Sequence, residues 1–368
     1  MTQDFSGTKP VDSYQQFDVE RLARYLQERI PGFSGPLTVE QFRGGQSNPT
    51  FKLLTPLKSY VLRRKPAGIL LASAHAVDRE YKVITALYGS KVPVAKTHVL
   101  CEDDGVIGTA FYVMDCVDGR VLWDPALPHS DVAERGAIFT QMNEVIAALH
   151  KVDYAAVGLA DYGRPGNYFE RQIARWTKQY HASQTERSEA MSRLISWLPQ
   201  NIPPGEETCI VHGDYRLDNI IFHATDPRIV AVLDWELSTI GHPLADFAYH
   251  CMIWQIPPEV FRGLAGVKLG ELGIPAEAEY VAAYCKATGR APIDPDHWDF
   301  YLAYNLFRLA AILQGIAGRV KEGTAASPQA VAMGKTAGPL ADLAWQQVEK
   351  ILARRGESAH GPSPSRST

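Results

Sequence analysis

The chain lacks the marks of several classes of protein. Its five cysteines, at positions 101, 116, 209, 251 and 285, are odd in number, scattered and without a C-x-x-C pair. That argues against a disulfide scaffold and a zinc site, and for reduced thiols in a cytoplasm. No run of about 18 apolar residues occurs, so no membrane span is expected. The start, Met1-Thr2-Gln3-Asp4-Phe5-Ser6, has no basic-then-apolar signal pattern. A net charge of −4 argues against a general nucleic-acid binder and against an anchor on anionic membranes. Internal repeats and a flavin fingerprint are also missing. Gly334-Lys335-Thr336 looks like the end of a phosphate-binding loop, but Gln329 stands where the first glycine belongs.

What remains is an ordinary globular composition, 46% hydrophobic and 21% charged over 368 residues. That length suits a large core and two lobes.

The informative segment is Val211-His212-Gly213-Asp214-Tyr215-Arg216-Leu217-Asp218-Asn219, followed by Val232-Leu233-Asp234-Trp235-Glu236. Ile210-Val211, Ile220-Ile221-Phe222 and Val230-Ala231-Val232-Leu233 read as short apolar strands. The loop between the first two presents Asp214 at one end and Asn219 at the other. The third delivers Asp234 at its C-terminal end. Asp214 can accept a proton from a substrate hydroxyl. Asn219 and Asp234 offer the oxygen ligands that magnesium prefers beside ATP phosphates. The competing structural reading is a polar turn whose acids cap backbone amides.

His-Gly-Asp-x-x-x-x-Asn, then an apolar strand and Asp, resembles the aminoglycoside phosphotransferase and choline kinase group. That group shares the protein-kinase-like fold. Gly213 stands where protein kinases have Arg, and Asp234-Trp235-Glu236 where they have D-F-G. The resemblance implies a small-molecule kinase with Asp214 as catalytic base. It implies ATP as cofactor and Mg²⁺ held by Asn219 and Asp234. Arg216, two residues after the base, is expected at phosphate or substrate, with pairing to Asp218 as its structural alternative. His212 is expected to pack and bond backbone, and Asp246 to brace the catalytic loop. Glu236 is left open between metal, substrate and an Arg partner.

The preceding sequence fits this expectation. Leu37–Arg43 and Thr50–Leu54 read as a hairpin whose tip holds Gly44, Gly45, Gln46, Ser47 and Asn48. Glycines let backbone N–H groups approach phosphates, and Ser47 and Asn48 are the side chains expected near them. In Tyr60-Val61-Leu62-Arg63, Arg63 aligns with the kinase lysine that holds the α/β-phosphates. Alternation along a strand sends Arg63 and Arg64 to opposite faces. Val77, Tyr81, Ile84 and Leu87 form a helical stripe, and Glu80 at its edge is the expected partner of Arg63. Asp115, Cys116 and Val117 are expected to offer backbone groups to adenine.

The fold class expected is α+β, protein-kinase-like and two-lobed. A small lobe of antiparallel sheet and helix spans 16–115, with a flexible leader at 1–15. A hinge follows at 116–119, then a mostly helical lobe at 120–355 and a disordered tail at 356–368. An N-terminal helix over Val19–Ile30 and a long apolar helix over Phe300–Ile316 belong to this reading.

The expected function is ATP-dependent transfer of the γ-phosphoryl group to a small-molecule hydroxyl. Tyr304 and Arg308, one turn apart, are candidates for the acceptor site. Arg and aromatics suit an anionic or partly apolar acceptor; acidic walls for a polycationic aminoglycoside are not evident. Between about residues 37 and 320 the wording is most similar to bacterial phosphotransferases related to the kinase-like domain of acyl-CoA dehydrogenase fusion proteins. That implies a hydroxyacyl-CoA-like acceptor. The alternatives are a nucleotide-binding module without turnover and a metal-dependent phosphoesterase built on His212 and Asp214. Oligomeric state is not legible.

Overall fold

The computed structural model describes residues 7–43, 48–66, 76–323 and 328–357, with side chains omitted at 328 and 329. Gly44, Gly45 and Ser47 lie outside the described residues. The chain divides into two compact units. Unit 1 takes residues 1–122, 152–162 and 216–238; unit 2 takes 123–151, 163–215 and 239–368. The sequence suggested one cut at 116–119. The structure instead assigns the segment carrying Asn219 and Asp234 to the same unit as Arg63 and Glu80.

Unit 1 is built on a six-stranded antiparallel sheet, in the order β1-β2-β3-β4-β6-β5. The strands are β1 (Thr8–Lys9), β2 (Thr38–Phe42), β3 (Thr50–Leu54), β4 (Ser59–Arg64), β5 (Thr97–Cys101) and β6 (Phe111–Asp115). β1 was not legible: two residues carry no periodicity. Its pairing of Thr8 with Phe42 sets part of the expected leader on the edge of the sheet.

Alternation gives the sheet two distinct faces. Phe51, Leu53, Tyr60, Leu62, Phe111 and Val113 form a core with Leu22, Leu26 and Ile30 of helix α1 (Val19–Arg29). Asp18 caps α1 by accepting from the Arg21 N–H at 2.8 Å. Val61, Arg63 and Tyr112 occupy the alternate positions. Glu80 of helix α2 (Val77–Leu87) bonds to Arg63 and Tyr112 of that set. Arg64 is buried on the first face, donates to Gln15 at 2.7 Å and lies 5.2 Å over the Phe51 ring. The two adjacent arginines therefore point oppositely, as strand geometry requires.

Five short strands follow in the chain: β7 (Arg120–Val121), β8 (Cys209–Val211), β9 (Ile220–Phe222), β10 (Ile229–Val232) and β11 (Thr239–Gly241). β10, β9 and β7 form a three-stranded ladder in unit 1, and β8 pairs with β11 in unit 2. Gly119 runs against the Phe222 backbone so closely that an added Cβ would collide with its carbonyl oxygen.

Unit 2 is mostly helical. Its main elements are α3 (Val132–His150), α4 (Tyr168–Ser183), α5 (Glu189–Trp197) and α6 (Pro243–Cys251). Two single turns, α7 (Pro258–Phe261) and α8 (Leu269–Leu272), precede α9 (Glu277–Thr288). α10 (Pro295–Lys321), α11 (Pro328–Gly334) and α12 (Ala337–Arg355) complete it. α10 is long and apolar enough to cross a membrane by composition alone. Here it packs against α12, α4, α11 and α6, with most of its residues buried. A helix apolar on all sides is what a core helix looks like.

Candidate active site

Two constellations of functional side chains are present, one in each unit. The first is centred on Arg63. Its Nε lies 2.9 Å from Glu80 Oε2, its Nη2 2.7 Å from Asp234 Oδ1 and 3.6 Å from Glu236 Oε2. The planar guanidinium suits such simultaneous contacts. Glu80 is 1% exposed and also accepts from Asn48 Nδ2 at 2.8 Å and from the Tyr112 hydroxyl at 3.0 Å. Burial and the Asp234 charge push the Glu80 carboxyl up, against the pull of Arg63 and those two donors. Burial also opposes the Arg63 charge, but Glu80, Asp234 and Glu236 outweigh it and hold the guanidinium firmly cationic.

Asn48 is fully buried beneath Glu80 rather than presented at a loop tip. Its contact makes it a support for the ion pair, where the sequence reading set it beside phosphate. Arg216 lies 3.3 Å from Asp218, the pairing its structural alternative anticipated.

Asn219 and Asp234 flank the β9–β10 ladder. Val232 pairs with Ile220, and the Leu233 N–H donates to the Asn219 carbonyl at 2.8 Å. In an antiparallel ladder that register sets the residues on either side as close neighbours. Asp234 adopts the left-handed conformation (φ 61°, ψ 61°), which Asp tolerates better than most residues. It turns the chain sharply from β10 into the helical turn Trp235–Leu237. Trp235 is buried, and its Nε1 donates to the Val232 carbonyl at 3.0 Å. α2 packs against this turn. Arg79 of α2 donates to the carbonyl of Tyr162 at 2.7 Å and lies 4.2 Å over its ring. The Tyr162 hydroxyl bonds Ser238 at 2.7 Å, fastening the far end of the same turn.

One carboxylate and one amide oxygen match the chemistry of a hard divalent cation that completes its shell from phosphates and water. Among the described residues no cluster of three or more His, Cys, Asp or Glu side chains forms an all-protein metal site. The donor set therefore fits magnesium brought with a nucleotide better than a resident ion.

At the expected hinge, Asp115 Oδ1 lies 2.6 Å from Lys58 Nζ and 2.5 Å from His98 Nε2. Burial opposes its charge, yet those two partners hold its carboxyl below the usual range. The Asp115 and Cys116 N–H groups donate to the carbonyls of Lys96 and Ser59.

The second constellation is built on Asp246, at the start of α6. Both its oxygens accept from the loop backbone: Oδ2 from the His212 N–H at 2.7 Å and Oδ1 from the Gly213 N–H at 2.8 Å. His150 Nε2 lies 3.1 Å from Oδ2, and its Nδ1 lies 2.7 Å from the Tyr284 hydroxyl. Burial disfavours the Asp246 charge, but these bonds and the neighbouring histidines keep the carboxyl below its ordinary value. The bracing contact expected of Asp246 is thus present. His150, its side chain 1% exposed, is the partner of Asp246 within the fold. Gly213 has φ +83°, a conformation open to glycine, which accounts for the residue type there. His212 is buried and its Nδ1 accepts from the Asp214 N–H at 3.2 Å.

Arg308 and Tyr304, the acceptor-site candidates of the sequence reading, both lie in α10. Tyr304 is fully buried and Arg308 6% exposed, because α10 is enclosed on all sides. Arg308 Nη2 donates to the Gly213 carbonyl at 2.7 Å. The structure also adds a residue that sequence reading missed. The Tyr249 hydroxyl donates to Asp214 Oδ1 at 2.5 Å. No periodic signal marks Tyr249, since every residue of α6 is buried.

An antiparallel sheet with a helix-held Arg–Glu pair, an acid after a short strand and a braced Gly-Asp loop is the framework of a protein-kinase-like phosphotransferase. Residues 38–304 match the Phosphotransferase enzyme family, and the chain belongs to that family. It is 44% identical over 347 residues to acyl-CoA dehydrogenase family member 10 of Mus musculus, covering 94% of this chain and 32% of that protein. The chain thus spans about a third of the length of that curated relative. A Ralstonia eutropha JMP134 protein of the aminoglycoside phosphotransferase type superposes with a TM-score of 0.85 at 57% identity, covering 91% of this chain and 99% of that one. Aminoglycoside phosphotransferase APH(4)-Ia, solved with ADP and hygromycin B, shares the fold alone. Its TM-score is 0.57 at 15% identity, covering 89% of this chain and 98% of that one.

Proposed function

We propose that this phosphotransferase moves the γ-phosphoryl group of ATP to a hydroxyl of a small anionic metabolite. The observation that carries the reading is the Arg63–Glu80–Asp234 set, at 2.9 and 2.7 Å, in a member of the phosphotransferase family. A half-buried, charge-locked arginine beside a metal-type carboxylate is an arrangement suited to nucleotide phosphates. The ADP bound by APH(4)-Ia, which shares the fold, supports ATP as donor.

In this reading Asp214 takes the acceptor proton as the acceptor oxygen bonds to the γ-phosphorus. The bond from that phosphorus to the β–γ bridging oxygen breaks, and ADP leaves with the electron pair. Arg63 and Arg216 offset phosphate charge. Asn219 and Asp234 would hold Mg²⁺, which would supply positive charge against the phosphate oxygens. Gly44, Gly45 and Ser47 serve the nucleotide, and Val117 with the carbonyls of Asp115 and Cys116 serves adenine.

A hydroxyacyl-CoA-like acid is the acceptor class favoured by the relative, which bears an acyl-CoA dehydrogenase name and extends well beyond the matched region. The test is a panel of hydroxylated acids, their CoA esters and aminoglycosides, read by ADP release. A hydroxylated acid or CoA ester is expected to raise the rate, and Asp214→Asn to lower kcat by roughly 10²–10⁴-fold. Near-native turnover by that variant would end the assignment of Asp214. Stimulation by aminoglycosides alone would end the acceptor class.

A further inference from the structure

We infer that Tyr249 and Arg308 form a positioning pair that holds the carboxylate of Asp214 in its working orientation. This rests on the reading of Asp214 as catalytic base. The Tyr249 hydroxyl donates to Asp214 Oδ1 at 2.5 Å, from a helix whose every residue is buried. Arg308 grips the loop one residue earlier, donating to the Gly213 carbonyl at 2.7 Å. Its guanidinium carbon lies 4.9 Å from the Tyr249 ring and 5.6 Å from the Trp176 ring. The cation is therefore flanked by two aromatic rings, one of which carries the hydroxyl that holds the base.

The arrangement has three consequences. Tyr249 is stiff: α6 starts at Pro243 and carries Asp246, which fixes the same loop by two backbone bonds. A base approached from one side by a fixed donor presents a defined oxygen geometry, the role of an orienting third group behind a catalytic side chain. Arg308 is buried, and burial opposes its charge. Tyr304, Tyr168, Tyr249 and Asp214 favour that charge more strongly, so it adds a permanent positive charge near the carboxylate. Neither residue needs to touch the acceptor.

The experiment measures ADP release from Mg-ATP with water as acceptor, beside the ATP dissociation constant by calorimetry and the thermal midpoint. Tyr249→Phe removes the hydroxyl and keeps the ring. A hydrogen bond to a charged group implies about a 10- to 100-fold fall in kcat, with ATP affinity within twofold of native. In an Asp214→Asn background, Tyr249→Phe is expected to cost nothing further, because the pair acts through Asp214. Arg308→Lys serves as the second variant, keeping the charge and losing the fork; its kcat falls with ATP affinity retained. Native turnover by Tyr249→Phe, or an equal loss in both backgrounds, overturns the inference and leaves the Asp214 reading standing. Native turnover by Asp214→Asn, or none by the native chain, overturns both.

Discussion

Arg63 and Asp234 are 171 positions apart in sequence and 2.7 Å apart in space. The same guanidinium reaches Glu80, so one side chain ties the sheet, α2 and the end of β10 together within unit 1. The two contacts divide the guanidinium, with Nε on Glu80 and Nη2 on Asp234.

The first prediction concerns that tie. Arg63→Met leaves Glu80 buried without its cation, which costs about 3–5 kcal/mol of stability. Adding Glu80→Gln removes the orphaned charge and is expected to restore part of the loss. Denaturant midpoints of the three chains check this. If the double variant is no more stable than Arg63→Met, the pair is not the source of the cost.

Asp234→Asn separates the metal role from the fold. Asn tolerates the left-handed backbone at this position, so the turn is expected to survive. The expected outcome is loss of the magnesium-dependent part of ATP affinity, at least about tenfold, with the thermal midpoint nearly unchanged. Calorimetry with and without Mg²⁺ decides. Unchanged Mg-ATP affinity removes Asp234 from the ligand set.

Acid sensitivity is the third prediction. Burial pushes the His250 imidazole from 6.5 down to about 4, and its Nε2 lies 2.7 Å from the Tyr280 hydroxyl. Between those values the unfolded chain binds a proton that the folded chain refuses. Stability from this source is therefore full above about pH 6.5 and lost progressively towards pH 4. The shift is worth roughly 3 kcal/mol in total. His250→Phe is expected to flatten the fall in stability over this window. An unchanged slope of denaturation free energy against pH would dismiss His250 as its source.

Much of the Arg63 constellation was legible because the family resemblance named its parts and simple periods set their faces. The resemblance to the kinase lysine position picked out Arg63 and named Glu80 as its helix partner; alternation along β4 set the face of Arg63, and the helical stripe set Glu80 at its edge. Asp214, Asn219 and Asp234 follow from polar residues bounded by apolar strands. What was hidden lies in elements buried on every side. α6 and α10 are covered all round, so periodicity cannot tell which face meets the loop. Tyr249 was missed for that reason, and the contact of Arg308 with the Gly213 carbonyl could not be read from its spacing to Tyr304. Asn48 sat in a stretch of turn residues and read as a tip side chain, while its amide is spent on Glu80. The division of the chain was equally opaque, because no composition shift marks the points where 152–162 and 216–238 join unit 1.

Gly213 limits how this loop can change. Its amide and carbonyl are both committed, to Asp246 and Arg308, at a backbone angle that side-chain-bearing residues avoid. Installing the arginine that protein kinases carry there would demand a peptide reorientation and the release of both anchors at once. A side chain at Gly213 is therefore expected to loosen the grip of Asp246 and of Arg308 on this loop together.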